Sequence, residues 1–206
     1  MAIVYPLTLP SAPGIKQLTM TMANRTAMNS SPFTAEQQVY RWPGQFWKAE
    51  IVLPKMPRAA AEPWIATLAA LSGQYGTFLL GDPVGAVPRG SVSGSPVVDG
   101  SDQSGMTLNI RNLTPDAAGV LLMGDYIQLG SGITARLHKV LTDTDADATG
   151  RASLDIWPRL RATPADGETV ITDAAVSLFR LAGNENPFDY VSPQMANVRF
   201  TAIEAL

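Results

Sequence analysis

The chain of 206 residues contains no cysteine and a single histidine, His138. The absence of cysteine excludes a disulfide framework, a thiolate metal site and a cysteine nucleophile. A lone histidine excludes a cluster of histidine metal ligands within one chain, and no Gly-x-Ser-x-Gly motif or Ser-His-Asp pattern accompanies it. His138 lies in a strand-like run, where we predict a partly exposed, structural side chain. We therefore expect a protein that is not an enzyme and has no cofactor.

Positive charge and long apolar runs are also scarce. The 15 basic residues are outnumbered by 18 acidic ones, and no run of Lys or Arg would follow a phosphate backbone, so we expect no nucleic-acid partner. The first residues, MAIVYPLTLPSAPG, have no basic segment, and Pro6, Pro10 and Pro13 interrupt them. The sequence thus predicts neither a classical signal peptide nor insertion into a membrane.

Glycine and proline, by contrast, are frequent, with 17 and 16 copies, and they separate short runs of alternating apolar residues. This pattern predicts a mainly β protein. The alternation is clearest from Trp47 to Leu53, where Lys48 and Glu50 point away from the apolar face. The candidate strands are KQLTMTMANRT, EQQVYRW, QFWKAEIVL, GTFLLG, MTLNIRNL, DYIQLG, TARLHKVL, ASLDIWP, AVSLFRLA and NVRFTAIEA.

One segment, PRAAAEPWIATLAALSG, has helical periodicity. Its apolar residues Trp64, Ile65, Leu68 and Leu71 recur at helical spacing, and Gly73 follows where a left-handed residue ends a helix. We predict a helix near residues 59–72.

A stretch rich in Gly, Ser and Pro, GDPVGAVPRGSVSGSPVVDGSDQSG, follows the GTFLLG strand and predicts a loop or domain boundary. Residues 86–168 carry seven basic and ten acidic side chains, so the whole formal charge of -3 falls there. We interpret 86–168 as an inserted small antiparallel β-barrel or sandwich module. It would split a first domain, residues 1–85 and 169–206, that is a β-sandwich with one α-helix.

The segment DTDADATG places Asp143, Asp145 and Asp147 at alternate positions, as in a calcium loop. Gly150 comes too late for an EF-hand, and no bidentate Glu follows. A polar hairpin turn, with the Asp side chains capping their own backbone, is the favoured interpretation, and ion binding stays open.

Four aromatic residues, Tyr40, Trp42, Phe46 and Trp47, surround a Pro-Gly pair that predicts the turn of a hairpin. Their rings are either the core of that hairpin or an exposed platform on which a sugar stacks. Because the sequence shows no polar recognition groups beside them, we favour the core.

The order of motifs from about residue 30 to 83 resembles the tail-tip proteins of long-tailed, siphovirus-type bacteriophages, in particular the distal tail protein group. SPFT leads into QQVY, then GQFWKAE, then a helix carrying Trp64, and then GQYGTFLLGDP. Looser similarity extends through GDYIQLGSG, DADATGRASLDIWPRLR and FRLAGNENPFDY.

This resemblance implies a structural component of the tail tip or baseplate, with no enzymatic activity. By this resemblance, six copies of the β-sandwich would form a homo-oligomeric ring that joins the tail tube to the tip complex, and the insertion would be peripheral. The implied partners are the tail tube protein, the tail hub and other tail-tip proteins. Such a protein is made in the host cytoplasm and resides in the virion tail. Six residues are expected to pack the ring-forming domain: Tyr40, Trp42, Phe46, Trp47, Trp64 and Phe78.

Two further expectations accompany this resemblance. The proline-rich arm Met1–Gly14 has no core of its own and is expected to gain order by docking on a neighbouring subunit. As an alternative function, the insertion is a carbohydrate-binding module that contacts host surface glycans, with Trp157 or Tyr126 exposed as the stacking ring.

Overall fold

The computed structural model describes residues 3–191 and 195–206. Within these residues the protein is mainly β, with one α-helix, α1 (Arg58–Ala70), and two antiparallel sheets, which confirms the predicted fold class. The first sheet contains β1 (Gln17–Ser30), β2 (Gln37–Val52), β3 (Met56–Pro57), β4 (Phe78–Leu80), β10 (Ser177–Leu181), β11 (Phe188–Val191) and β12 (Met195–Glu204). The second contains β5 (Gly94–Val98), β6 (Gly105–Leu113), β7 (Tyr126–Leu129), β8 (Arg136–Val140) and β9 (Ala152–Leu160). No helix of the described part is long and apolar enough to cross a membrane.

In the sequence, all strands of the second sheet lie between β4 and β10 of the first sheet. The first sheet runs β1-β2-β12-β10-β4, with β3 and β11 both paired to β12, and the second runs β5-β6-β9-β8-β7. All five strands of the second sheet therefore lie inside the segment interpreted as an insertion. Thr169 and Ile171 also bridge to this sheet, just beyond residue 168. The exact domain boundaries stay a prediction.

Helix α1 covers one end of the inner face of the first sheet. Trp64 packs against Phe200 of β12, and Phe78 of β4 stacks on Phe179 and meets Phe200 edge-on. The helical spacing explains this contact, because it places the buried side chains of α1 on one stripe. Gly73 adopts a positive φ of 66° just after the helix, as its position in the sequence predicts.

The second sheet covers the other end of that inner face. Trp47 of β2 meets Trp157 of β9 edge-on at 4.6 Å between ring centroids and lies 6.1 Å from Tyr126 of β7. Its indole Nε1 donates to the carbonyl oxygen of Leu137 at 3.0 Å. We call this contact between the two sheets the seam. The alternation predicted for residues 47–53 is confirmed, since the inward residues are buried along the whole run.

The predicted turn at Pro43–Gly44 is wrong. β2 continues through these residues as one strand of 16 residues, paired along its length with β1. The register passes from Arg25 opposite Trp42 to Ala23 opposite Phe46, so the Pro-Gly pair lies in a bulge. The chain reverses instead at residues 31–36, where the Ser31 hydroxyl accepts two backbone amide hydrogen bonds. A glycine and a proline fit a bulge as well as a turn, which explains the error.

One other expectation is corrected, and another stays untested. β5 lies within the stretch predicted as a loop or domain boundary, and its buried Pro96 is tolerated because it falls at a register shift between β5 and β6. The described part of the N-terminal arm contacts its own chain, and its docking on a neighbouring subunit stays a prediction. Tyr5 donates its hydroxyl hydrogen to the Ala70 carbonyl at 2.7 Å, and Leu7 bridges Phe78 at the edge of β4. Met1 and Ala2 of the arm lie outside the described residues.

Candidate interaction surface

The six residues predicted to pack the ring-forming domain fall into two groups. Trp47, Trp64 and Phe78 are buried, at 1%, 1% and 0% exposure. Phe46 is partly buried on the outer face of the sheet, beneath the cationic groups of Arg25 and Lys48. Tyr40 and Trp42 are 47% and 52% exposed, so their assignment to the core of the chain is wrong.

The exposure of Tyr40 and Trp42 follows from where β12 ends. β12 pairs with β2 only from Lys48 to Val52. Residues 23–46 therefore form a two-stranded ribbon with a connecting turn, which we call the projecting hairpin. In the described part of the chain this ribbon pairs only with itself. Two-stranded ribbons are marginally stable alone in water, so a partner surface would add to its order.

Apolar side chains stand on both faces of the projecting hairpin. Tyr40 and Trp42 share one face, whereas Val39 pairs with Met28 on the other. Val39 and Met28 are 61% and 60% exposed, and Phe33 at the turn is 94% exposed. Single exposed apolar residues are ordinary, but several on one thin ribbon make the projecting hairpin a candidate interaction surface.

The outer edge of β1 is a second feature of this surface. β1 is 14 residues long, ends the strand order of its sheet, and carries one charged residue, Arg25. Natural proteins usually protect such an edge with charges, proline or a covering segment. The opposite edge, β4, is covered in that way by Leu7, whose amide donates to Thr77 at 2.8 Å. Within the described residues β1 has no equivalent cover.

A shallow depression of about 300 Å³ lies where the projecting hairpin meets the second sheet. Trp42 and Arg41 form one side of it, and Met106 and Arg159 form the other. The structure thus brings aromatic and cationic side chains together that are far apart in the sequence, which is why the sequence did not predict this depression.

A buried polar network ties the seam together. The carboxylate of Glu204 accepts hydrogen bonds from the Trp47 amide at 3.0 Å and the Ser177 hydroxyl at 2.8 Å, and it pairs with Arg161. The side chain of Gln45 bonds the Arg159 amide at 2.9 Å. The bonds from Glu204 to Arg161 and from Gln45 to Arg159 join the first sheet to the end of β9, and they help to specify the relative placement of the two sheets because they are lost if the seam opens.

Sequence reasoning missed Glu204, although a signal was present. The alternation Val198, Phe200, Ala202 places Glu204 at the next inward position of β12, and it is 3% exposed. A carboxylate on a core-facing position requires a buried partner. That requirement does not identify Arg161, which lies 43 residues earlier in the chain.

His138 is structural, as predicted, but it is buried rather than partly exposed, at 3% exposure. Its Nδ1 donates to the Pro158 carbonyl at 2.7 Å, because a carbonyl oxygen only accepts. Burial lowers the pKa of His138 to about 4, and the hydrogen bond to Pro158 opposes this shift only in part. The imidazole is therefore neutral at pH 7.

The rings proposed for glycan stacking, Trp157 and Tyr126, are each 6% exposed and lie in the seam. The prediction that either ring is exposed is wrong. A carbohydrate cannot stack on them while the two sheets stay packed.

The three aspartates of DTDADATG all accept hydrogen bonds from backbone amides, but only Asp147 caps its own turn as the turn interpretation predicts. Asp143 and Asp145 instead cap amides 20 and 26 residues earlier in the chain. Asp143 accepts from the Met123 amide, Asp145 from the Gly119 amide, and Asp147 from two amides of its own turn. These hydrogen bonds lower the pKa of Asp147. Across the described ranges, no group of three or more His, Cys, Asp or Glu side chains is placed to hold a metal ion.

No protein-family model matches the chain, and a search of curated proteins gives no match. Its function is therefore inferred from its own sequence and geometry.

Proposed function

We propose that the chain is a structural component of a bacteriophage tail tip, which assembles as a ring of about six copies. In this role it resides in the virion tail, joins the tail tube to the tip complex, and catalyses no reaction. The observation that supports the proposal is the projecting hairpin, whose apolar residues and free β1 edge have no partner among the described residues. The motif order of residues 30–83 supplies the tail-tip context.

A closed ring suits this surface for a physical reason. Head-to-tail contacts that close under rotation satisfy every subunit's free edge, whereas contacts that do not close produce filaments. The β1 edge of one copy would lie against its neighbour, and Met28, Val39 and Trp42 would lose their exposure there. A rigid first sheet, fixed by the Glu204 network, would hold each hairpin at the same angle.

The proposal is tested by adding charge to β1. In the variant Met22→Lys/Met28→Lys, two exposed β1 residues become lysines, which disfavour edge-to-edge pairing. The matched control, Val84→Lys/Val87→Lys, makes the same kind of change at two exposed loop residues. We expect the wild type and the control to form rings and the β1 variant to be monomeric, as measured by light scattering after size exclusion.

Thermal unfolding and circular dichroism check that the β1 variant keeps the monomer fold. A folded β1 variant that assembles as readily as the wild type would contradict the role of the projecting hairpin.

A second candidate function, carbohydrate binding, is favoured by one observation. Trp42 is half exposed and lies beside Arg41 and Arg159, so an aromatic platform does have polar groups beside it. Saturation-transfer experiments with host polysaccharide would give a signal that Trp42→Ala removes. The control Tyr75→Ala alters another exposed ring and should retain that signal. A wild type without any signal excludes this candidate.

A further inference from the structure

The shallow depression where the projecting hairpin meets the second sheet carries positive charge that the chain does not neutralise. Arg41 and Arg159 both line it, and no carboxylate of the described residues lines it with them. Neither guanidinium group takes part in a salt bridge within residues 3–191 and 195–206. Arg41 contacts the sulfur of Met106, which is a weak acceptor. Both cations therefore have donors left for a partner.

Negative charge that is equally unmatched lies on residues 143–149, which we call the acidic turn. Asp143, Asp145 and Asp147 are all exposed, and each caps backbone amides through Oδ1. In the part of the chain that the structure describes, their Oδ2 oxygens accept no hydrogen bond and none of the three forms a salt bridge. The neighbouring Arg151 is already paired with another carboxylate. The caps thus fix three carboxylates that each keep one oxygen for a partner.

The two charged regions lie at opposite ends of the second sheet. The depression reaches Gly105, where β6 begins. The acidic turn meets the other end of β6, where the Leu113 amide donates to the Gly150 carbonyl at 3.0 Å. β6 is 9 residues long, so its ends are separated by about 26 Å. An arginine side chain does not span that distance, and the opposite charges cannot meet within one chain.

We propose that the acidic turn of one copy of this chain docks in the depression of the next copy. The guanidinium groups of Arg41 and Arg159 would donate to the Oδ2 oxygens that the caps leave free. The half-exposed ring of Trp42 would pack on the apolar side chain of Ala148 within the turn. Complementary charge of this kind orients and accelerates association.

The inference rests on the ring proposed above and names the surface of the neighbour that meets the depression. Because the cations and the carboxylates lie at opposite ends of one chain, the contact joins two different surfaces. Such head-to-tail contacts build closed rings when the rotation closes. A copy of the chain is the occupant because it carries the matching charge at its other end.

Neutralising the acidic turn tests the inference. In Asp143→Asn/Asp145→Asn/Asp147→Asn each new side chain keeps an oxygen that can cap an amide, whereas three negative charges are removed. We expect the concentration at which half of the chains are assembled, measured by light scattering, to rise at least about tenfold. The reason is that each subunit loses paired charges at both of its contacts.

The matched control removes the same charge elsewhere. Asp173→Asn/Glu185→Gln/Asp189→Asn changes three exposed acidic residues that lie outside the acidic turn. This control should assemble as the wild type does, and circular dichroism checks that both triple variants are folded.

Crosslinking locates the contact and keeps the test decisive if the turn variant fails to fold. The chain has no cysteine, so Pro43→Cys in the depression and Ala148→Cys in the turn introduce its only thiols. We expect a short bismaleimide to join the double variant into covalent multimers on a denaturing gel. Each single variant should run as a monomer, because its thiol faces a surface without one.

The outcomes separate this inference from the ring itself. The turn contact is overturned, and the ring stands, if wild-type rings form but the folded turn variant assembles equally well. It is also overturned if the control weakens assembly to the same extent, or if the double cysteine variant gives no multimers. A wild type that stays monomeric would overturn both proposals.

Discussion

The buried imidazole of His138 makes stability depend on pH in a defined window. The pKa of a histidine in the unfolded chain is about 6.5, and in the folded protein it is about 4. Between these values the unfolded chain binds a proton that the folded chain does not. The free energy of unfolding therefore falls as the pH falls through this window. From about pH 7.5 to about pH 4.5 the loss from this group is about 2.5 kcal/mol.

Urea unfolding followed by tryptophan fluorescence at those two pH values measures the loss. Carboxylates also titrate near the lower pH, so the informative quantity is the difference between the wild type and His138→Gln. Glutamine keeps an amide that can donate to the Pro158 carbonyl but does not titrate. We expect the variant to lose about 2.5 kcal/mol less than the wild type over the same interval. Equal losses in the two proteins would refute the assignment of a neutral, buried imidazole.

Two further predictions concern the seam. Trp47→Ala removes a buried ring and its hydrogen bond to Leu137. We expect it to lower the free energy of unfolding by about 4 kcal/mol in thermal unfolding. Trp42→Ala removes an exposed ring and should lower it by less than about 0.5 kcal/mol. Similar costs for the two variants would contradict the division into buried and exposed rings. Glu204→Gln leaves Arg161 without its charged partner. We expect the free energy of unfolding, measured in urea, to fall by about 3 kcal/mol. An unchanged urea midpoint would exclude a stabilising role for that pair.

The fold class and most of the strands were predictable because local patterns determine them. Alternation identified the inward face of residues 47–53, and helical spacing identified α1 to within a few residues. Gly73 ended the helix where a positive φ is favoured. These features depend on neighbours in sequence, which a single chain displays.

The candidate interaction surface was not predictable in the same way. Whether Trp42 is buried depends on how far β12 extends along β2, and that length is set by pairing between distant segments. The Pro-Gly pair indicated a turn because local chemistry does not distinguish a turn from a bulge in a longer hairpin. His138 is likewise buried only when β8 pairs with β7 and β9 in the second sheet.

The mass of the purified wild-type protein in solution tests the central claim most directly. Light scattering on a size-exclusion column, over a range of concentrations and with negative-stain images of the main peak, measures it. We expect closed rings of about six copies at the higher concentrations. A monomer at every concentration, with the projecting hairpin intact, would contradict it.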